Sequence, residues 1–428
     1  MFYALRFMST RTQSNFETLP IELVHRIFDE IPADTIALSI RCVCKWLYSI
    51  VNAYNRYEVD FRYVSKSDLP LMARIIDPKN IISLTLSNEL LNEVNTQNQI
   101  PSFLSNFHID QFIRLRSLTL FNVENDDLNE FQKHIVKFPL TTFSMSSPYY
   151  GSTETAELLS SIISNNDLRK FEFKGGDMIV SKIQWPISCR LENVTISDWC
   201  NWKIVYLILE RLPYIRTLAI RLLVVEEPTV IRSDIIQSSH LTSLSLNSHS
   251  TITMDFVKSF LSLLPMLTHL RLIIESSLTD LLLFDGFQWA NFIQTKLSLL
   301  NKFEFSFTHR APDHSDSSSV ELLIASFRTP FWLEVKHWFV TCDLEYKHYK
   351  QFHLYSIPIF QDDFDYPVLR RDILYSTLNN IDNNLTIIVN THRLFVDLIR
   401  MRFKSIRQNV SIILYFQTDY FFSNKSFF

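Results

Sequence analysis

The chain has 428 residues, 47% of them apolar and 20% charged, the balance of a globular protein with a large core. A net charge of -4 at pH 7 gives no basis for bulk binding to nucleic acid or to an anionic membrane. With only 4 Gly, a Gly-rich cofactor fold is poorly supported; five Cys with no C-x-x-C pair predict reduced thiols in a cytoplasmic or nuclear protein.

In chain order, residues 1–15 read as a disordered leader, since only Arg6 and Arg11 are basic. No apolar run reaches the roughly 18 residues needed to span a membrane. Pro20 suits the first turn of a helix. Leu23, Ile27 and Ile31 then recur every four residues, flanked by Val24 and Phe28. Pro32 ends that helix, because Ile31 is pushed towards extended backbone. Asp34 is placed to cap a second helix with a stripe of Ile36, Ile40, Val43, Leu47 and Val51. A hairpin this small cannot hide both stripes, so later parts of the chain or a second protein must cover them.

Leu19, Pro20, Glu22, Leu23, Ile27, Phe28, Val43, Cys44 and Lys45 fall in the order of the F-box motif, and this stretch resembles that family. The resemblance covers about the first 50 residues. It implies docking onto the Skp-type linker of a cullin–RING ubiquitin ligase through Leu19, Pro20, Glu22, Leu23, Ile27, Phe28, Ile31, Val43, Cys44 and Leu47. Apolar helical faces would seat in the linker's helical surface. Cys42 and Cys44 read as small buried apolar residues, not nucleophiles.

Beyond Tyr57 a phrase, apolar-x-x-apolar-x-apolar, returns nine times. It starts at Ile81, Leu115, Leu140, Leu168, Leu191, Ile215, Leu241, Leu267 and Leu300. Its period of two predicts a short strand with one face inward. Helical patterns fill gaps at Asp126–Phe138, Glu154–Asn166, Asn201–Leu212 and Met254–Leu264. Strand, helix, strand at this spacing predicts an α/β fold with a parallel inner sheet and outer helices, stable only when neighbours stack. The pattern resembles irregular leucine-rich repeats, although the Asn usually found past each phrase is absent. The predicted organisation is therefore an F-box at 16–60, a leucine-rich-repeat-like solenoid at 61–420 and a tail at 421–428. A non-repetitive α/β domain is the competing architecture.

The x positions of the phrases would face the open side of the sheet. They are mostly Ser and Thr, with a small basic excess in Lys170, Lys174, Arg221, His269, Arg271 and Lys302. These are the candidate substrate contacts, and the excess is compatible with an acidic or phosphorylated partner. Farther on, His309–Glu321 reads as an exposed solvated loop, not a metal site. Trp332–Leu344 and two later stretches, "LTIIVN" and "VSIILYFQ", read as strands; Arg370–Ile381 and "HRLFVDLIRMRF" read as helices. No catalytic or phosphate-binding motif is found. The resulting expectation is a non-enzymatic adaptor, without cofactor or metal, that recruits a protein substrate for ubiquitylation. The alternatives are a repeat scaffold with a vestigial F-box and an enzyme with an unfamiliar site.

Overall fold

In a computed structural model of the chain, the described residues are 18–64, 68–88, 99–123, 131, 134–135, 137–147, 153–164, 167–175, 177–187, 189–225, 240–276, 280–312, 316–346, 350–357 and 371–377. The leader, the tail, "LTIIVN", "VSIILYFQ" and "HRLFVDLIRMRF" lie outside them. The fold is α/β with mostly parallel strands. The chain divides into two compact units, Met1–Leu191 and Glu192–Phe428. The division falls within the fifth phrase, and the N-terminal helices share the first unit with five strands.

Unit 1 opens with α1 (Ile21–Asp29). Pro20 is its cap residue, one position earlier than expected, and its carbonyl accepts from the Leu23 and Val24 N–H groups. The second helix does not run through as one stripe. Helical turns Thr35–Ser39 and Ile40–Cys42 come first, and α2 (Lys45–Ala53) follows after a break. Asp34 itself has helical backbone and makes no capping bond. Cys44 does that job instead: its extended backbone stops one helical stretch, and its Sγ accepts the Leu47 N–H.

Strand β1 (Tyr57–Asp60) is short, carries no phrase and was not anticipated. Then β2 (Ile81–Ser87), β3 (Ser117–Phe121), β4 (Thr142–Ser146) and β5 (Lys170–Lys174) each grow from a phrase. All pair in parallel in chain order. In unit 2, β6 (Asn193–Asn201), β7 (Thr217–Val224), β8 (Ser243–Ser248), β9 (His269–Glu275) and β10 (Lys302–Arg310) do the same. The parallel run then reverses. β12 (Lys350–Ile357) lies antiparallel to β10, β11 (Phe339–Tyr346) antiparallel to β12, and β13 (Arg371–Ser376) antiparallel to β11.

Phrase position matches phrase position across the strands: Leu84 pairs with Leu118, Leu118 with Phe143, and Leu244 with Leu270. A one-residue slip would turn every apolar side chain to the wrong face, which is why the register holds. The turns leading into the strands are laced together as well. Thr242 and Ser243 both donate backbone N–H to the Arg216 carbonyl, and Thr268 and His269 both donate to that of Thr242. Asn301 and Lys302 do likewise to Thr268.

Helices Thr153–Ile163, Trp202–Arg211 and Met254–Leu261 form where the 3.6-residue period predicted them. Their apolar sides and the inward strand residues make the core. Rings interlock there, as in Trp202–Phe260 at 4.5 Å and Trp289–Phe303 at 4.9 Å. The missing Asn ladder is replaced by hydroxyls and carboxylates. Ser146 Oγ accepts the N–H of Asn122, whose φ is 50°. Ser248 Oγ donates to the Leu223 carbonyl and accepts the Ser250 N–H. Asp280 accepts from the Met254 and Leu282 N–H groups.

Three readings need correction. Arg371–Ser376 is strand, not helix; pairing with β11 overrides a helical pattern that was never long. In Trp332–Leu344, the first residues belong to the helical turn Phe331–Val335, and the strand begins at Phe339. The polar stretch His309–Glu321 is not all loop: β10 runs to Arg310 and helix Ser317–Ala325 starts inside it. There the Asp316 carboxylate accepts the Ser319 N–H, while Ser319 Oγ returns a contact to the Asp316 N–H.

Candidate interaction surfaces

The N-terminal helices turn some apolar residues in and leave others out. Val24, Phe28, Ile36, Ala37, Ile50 and Val51 are buried. Phe28, 2% exposed, meets the Tyr54 ring edge-on at 5.5 Å, and Tyr54 packs on Tyr57 at 4.8 Å. Tyr54 donates its hydroxyl to Asp29 Oδ1 at 2.8 Å. Burial first, and the Asp29 contact second, push the Tyr54 phenol pKa up. This aromatic stack fixes α1 against the segment that follows α2.

Other apolar residues of the same segment are open. Leu23 is 44% exposed, Ile27 36% and Val43 66%; Ile21 and Tyr48 are exposed too. Leu23 and Ile27 stand one helical turn apart on α1. Pro20, Glu22 and Cys44 are exposed, while Leu19, Ile31 and Leu47 are half-buried. Phe28 is the exception among the expected docking residues: it belongs to the core and offers no surface. Cys42 and Cys44 are also corrected, since both are exposed. Ile21 and Tyr48 were missed. Ile21 precedes the repeating stripe, and Tyr48 is held by Arg41, whose guanidinium lies 4.5 Å over its ring.

The second surface is the non-buried face of the strands. All six basic candidates lie on it. In unit 1, Lys170 and Lys174 are exposed four residues apart, at the two ends of β5. In unit 2, Arg221 and Lys302 are exposed, and His269 and Arg271 are half-buried. The residue just past several phrases does not face water as expected: Ser87, Ser146, Ile273 and Ser306 are buried.

Across β8–β10 the candidates are not independent. His269 Nε2 lies 2.9 Å from Glu304 Oε2, and Lys302 Nζ donates to Glu304 Oε1 at 2.6 Å. Ser243 Oγ lies 3.4 Å from His269 Nδ1. Burial pushes the Glu304 carboxyl up, but hydrogen bonds and charge from His269 and Lys302 outweigh this and hold it below its usual range. Glu304 therefore absorbs two of the predicted basic contacts. It was legible as the fourth residue after Leu300, one strand over from His269, had register been applied.

The depressed Glu304 pKa fixes a sign. Its stabilisation is complete above the ordinary glutamate value of about 4.3 and fades as pH falls through the lower folded value. Glu304→Gln is expected to lower the urea midpoint at pH 7, with the gap to the parent closing below about pH 4. A gap that stays constant down to pH 2 would remove the charged network from the account.

Among the described residues no three His, Cys, Asp or Glu side chains group as for a metal ion, and no helix is long and apolar enough to cross a membrane. Burial pushes the Cys189 and Cys342 thiols up, which disfavours the reactive thiolate. The cavity under Trp202, Phe256 and Phe260 is about 20 Å³, room for a single water. Searches of protein-family models and of curated proteins find no match to the chain.

Proposed function

We propose that the chain is a substrate-recognition adaptor of a Skp-linker/cullin/F-box ubiquitin ligase. The observation that carries this reading is the exposure of Leu23 and Ile27, one turn apart on α1, and of Val43, in a helical segment whose Val24, Phe28, Ile36 and Ile50 are already packed. Large apolar side chains left open on adjacent helical turns, as Leu23 and Ile27 are, suit an interaction surface. Eight of the nine F-box-like residues remain outside the hairpin core; only Phe28 has joined it.

In this reading the strand region is a degenerate leucine-rich-repeat solenoid and holds the substrate on its open face. Ubiquitin transfer is then accelerated by proximity alone. Holding an acceptor lysine near the charged conjugating enzyme raises its effective concentration, and no residue of this chain touches the reacting bonds. The test is affinity capture of the full chain with a purified Skp-type linker, with and without a cullin. Recovery of both supports a ligase subunit. Recovery of the linker alone favours a scaffold, and recovery of neither defeats the assignment.

A further inference from the structure

The open face of unit 2 carries an irregularity near the C-terminal ends of β6–β8. On β6, Ser197 and Asp198 together oppose Arg221 of β7, between the pairs Ile196–Ile220 and Trp199–Leu222. On β7, Arg221 and Leu222 together oppose Asn247 of β8, between the pairs Ile220–Leu246 and Leu223–Ser248. Two bulges therefore fall side by side. Bulges of this kind re-aim side chains and are enriched next to functional sites.

Their consequence is a cluster of unsatisfied groups. Trp199 is 58% exposed. Arg221 is exposed and has no ion pair or hydrogen bond to a described residue. Ser197 Oγ and Asn247 Oδ1 are shielded from water and have no hydrogen-bond partner. Shielded polar atoms are normally paired, so two on the strands that flank a lone guanidinium on β7 need an explanation. Folding does not supply one. The matching strand ends of β3–β4 and of β7–β8 spend their hydroxyls on the turns, as Ser146 and Ser248 do.

We propose that this bulged corner is a recognition pocket for a protein segment bearing one carboxylate side chain followed by a large apolar residue. The inference rests on the reading of the open face as the substrate surface. The Arg221 fork takes the carboxylate in two parallel N–H···O bonds. The Ser197 hydroxyl donates to the same carboxylate, and Asn247 Oδ1 accepts a backbone N–H of the segment. Trp199 covers the neighbouring apolar side chain, the use to which exposed tryptophans at interfaces are put. Charge selects the carboxylate over a phosphate. One guanidinium balances one negative charge, whereas a phosphate dianion would be left with a charge in excess.

The full chain should be applied to an array of twelve-residue peptides carrying Asp-Leu, Asp-Phe, Asn-Leu, Asp-Ser, Lys-Leu or phosphoserine-Leu at the centre. Asp-Leu and Asp-Phe peptides are expected to be retained about tenfold better than Asn-Leu, the size of effect a charge-assisted pair supplies. Arg221→Ala should erase the preference for Asp over Asn. Trp199→Ala should erase the preference for Leu over Ser. Arg221→Glu should move selection to Lys-Leu peptides, which an unfolded chain could not do. Equal retention of Asp and Asn, a preference that survives both alanine variants, or stronger retention of phosphoserine would each overturn the proposal. No linker or cullin is present, so this outcome is independent of whether the N-terminal helices dock.

Discussion

Full-length chain with Leu23 and Ile27 both changed to Asp is expected to lose about a thousandfold in affinity for a Skp-type linker, with only a small change in its unfolding midpoint. The size follows from the place of the two side chains. Both are exposed, one turn apart, on a helix whose inner face is occupied by Val24 and Phe28. Interface anchors of this type cost about 2 kcal/mol or more each when lost, and burying a carboxylate against an apolar groove adds a desolvation penalty. In the free chain the same substitutions meet water and should shift stability by no more than about 0.5 kcal/mol each. Titration calorimetry with purified linker, beside urea unfolding of the same preparations, separates the two effects. Undiminished binding by the double variant sinks the docking assignment. Phe28→Asp is not an equivalent test, because it puts a charge into the stack with Tyr54 and would unfold the hairpin whatever the linker does.

Trp332→Ala is expected to destabilise unit 2 by about 3–5 kcal/mol, among the largest single-residue effects in the chain. Trp332 is completely buried at the end of the parallel run. Its ring lies within 6.3 Å of Phe303, Phe305, Phe327, Phe331 and Trp338. Its indole N–H donates to the Gly286 carbonyl at 3.0 Å, so truncation leaves both a cavity and an orphaned acceptor. The site cannot close easily. Gly286 already abuts Ser326, and a Cβ there would come within 2.5 Å of the Ser326 carbonyl oxygen. Val335, three residues on and 66% exposed, serves as the control, with Val335→Ala costing less than about 0.5 kcal/mol. Equal midpoints for the two variants in urea unfolding would mean that the aromatic cluster does not hold this end of the unit.

What could be read in the amino-acid order, and what could not, divides along physical lines. The nine phrases became nine strands because period-two alternation and a buried first residue repeat at steady spacing. Ile215, Leu241, Leu267 and Leu300 are each fully buried. The helices Trp202–Arg211 and Met254–Leu261 were legible for the same reason, with a 3.6-residue stripe. Strand β1 was not, since four residues carry too little pattern. The antiparallel strands were read poorly because their pairing is long-range: nothing local in Arg371–Ser376 distinguishes strand from helix until β11 lies beside it. On the surfaces, composition located the basic candidates but not their company. That Glu304 occupies His269 and Lys302 while Arg221 stays unpaired follows from register and from two bulges, neither of which a single phrase encodes. The inward turn of Phe28 depended on Tyr54, 26 residues downstream.

The change of direction after β10 bears on how such a chain can lengthen. Within the series from β6 to β10, every strand offers the same hydrogen-bonding edge to its successor, so a duplicated segment of some 25 residues could slot in and find both neighbours ready. After β10 that opportunity is gone, because β12 already holds the next edge and runs the other way. Growth by copying is therefore confined to the interior of the array. The reversed strands act as a stop that also denies the last parallel edge to a neighbouring molecule.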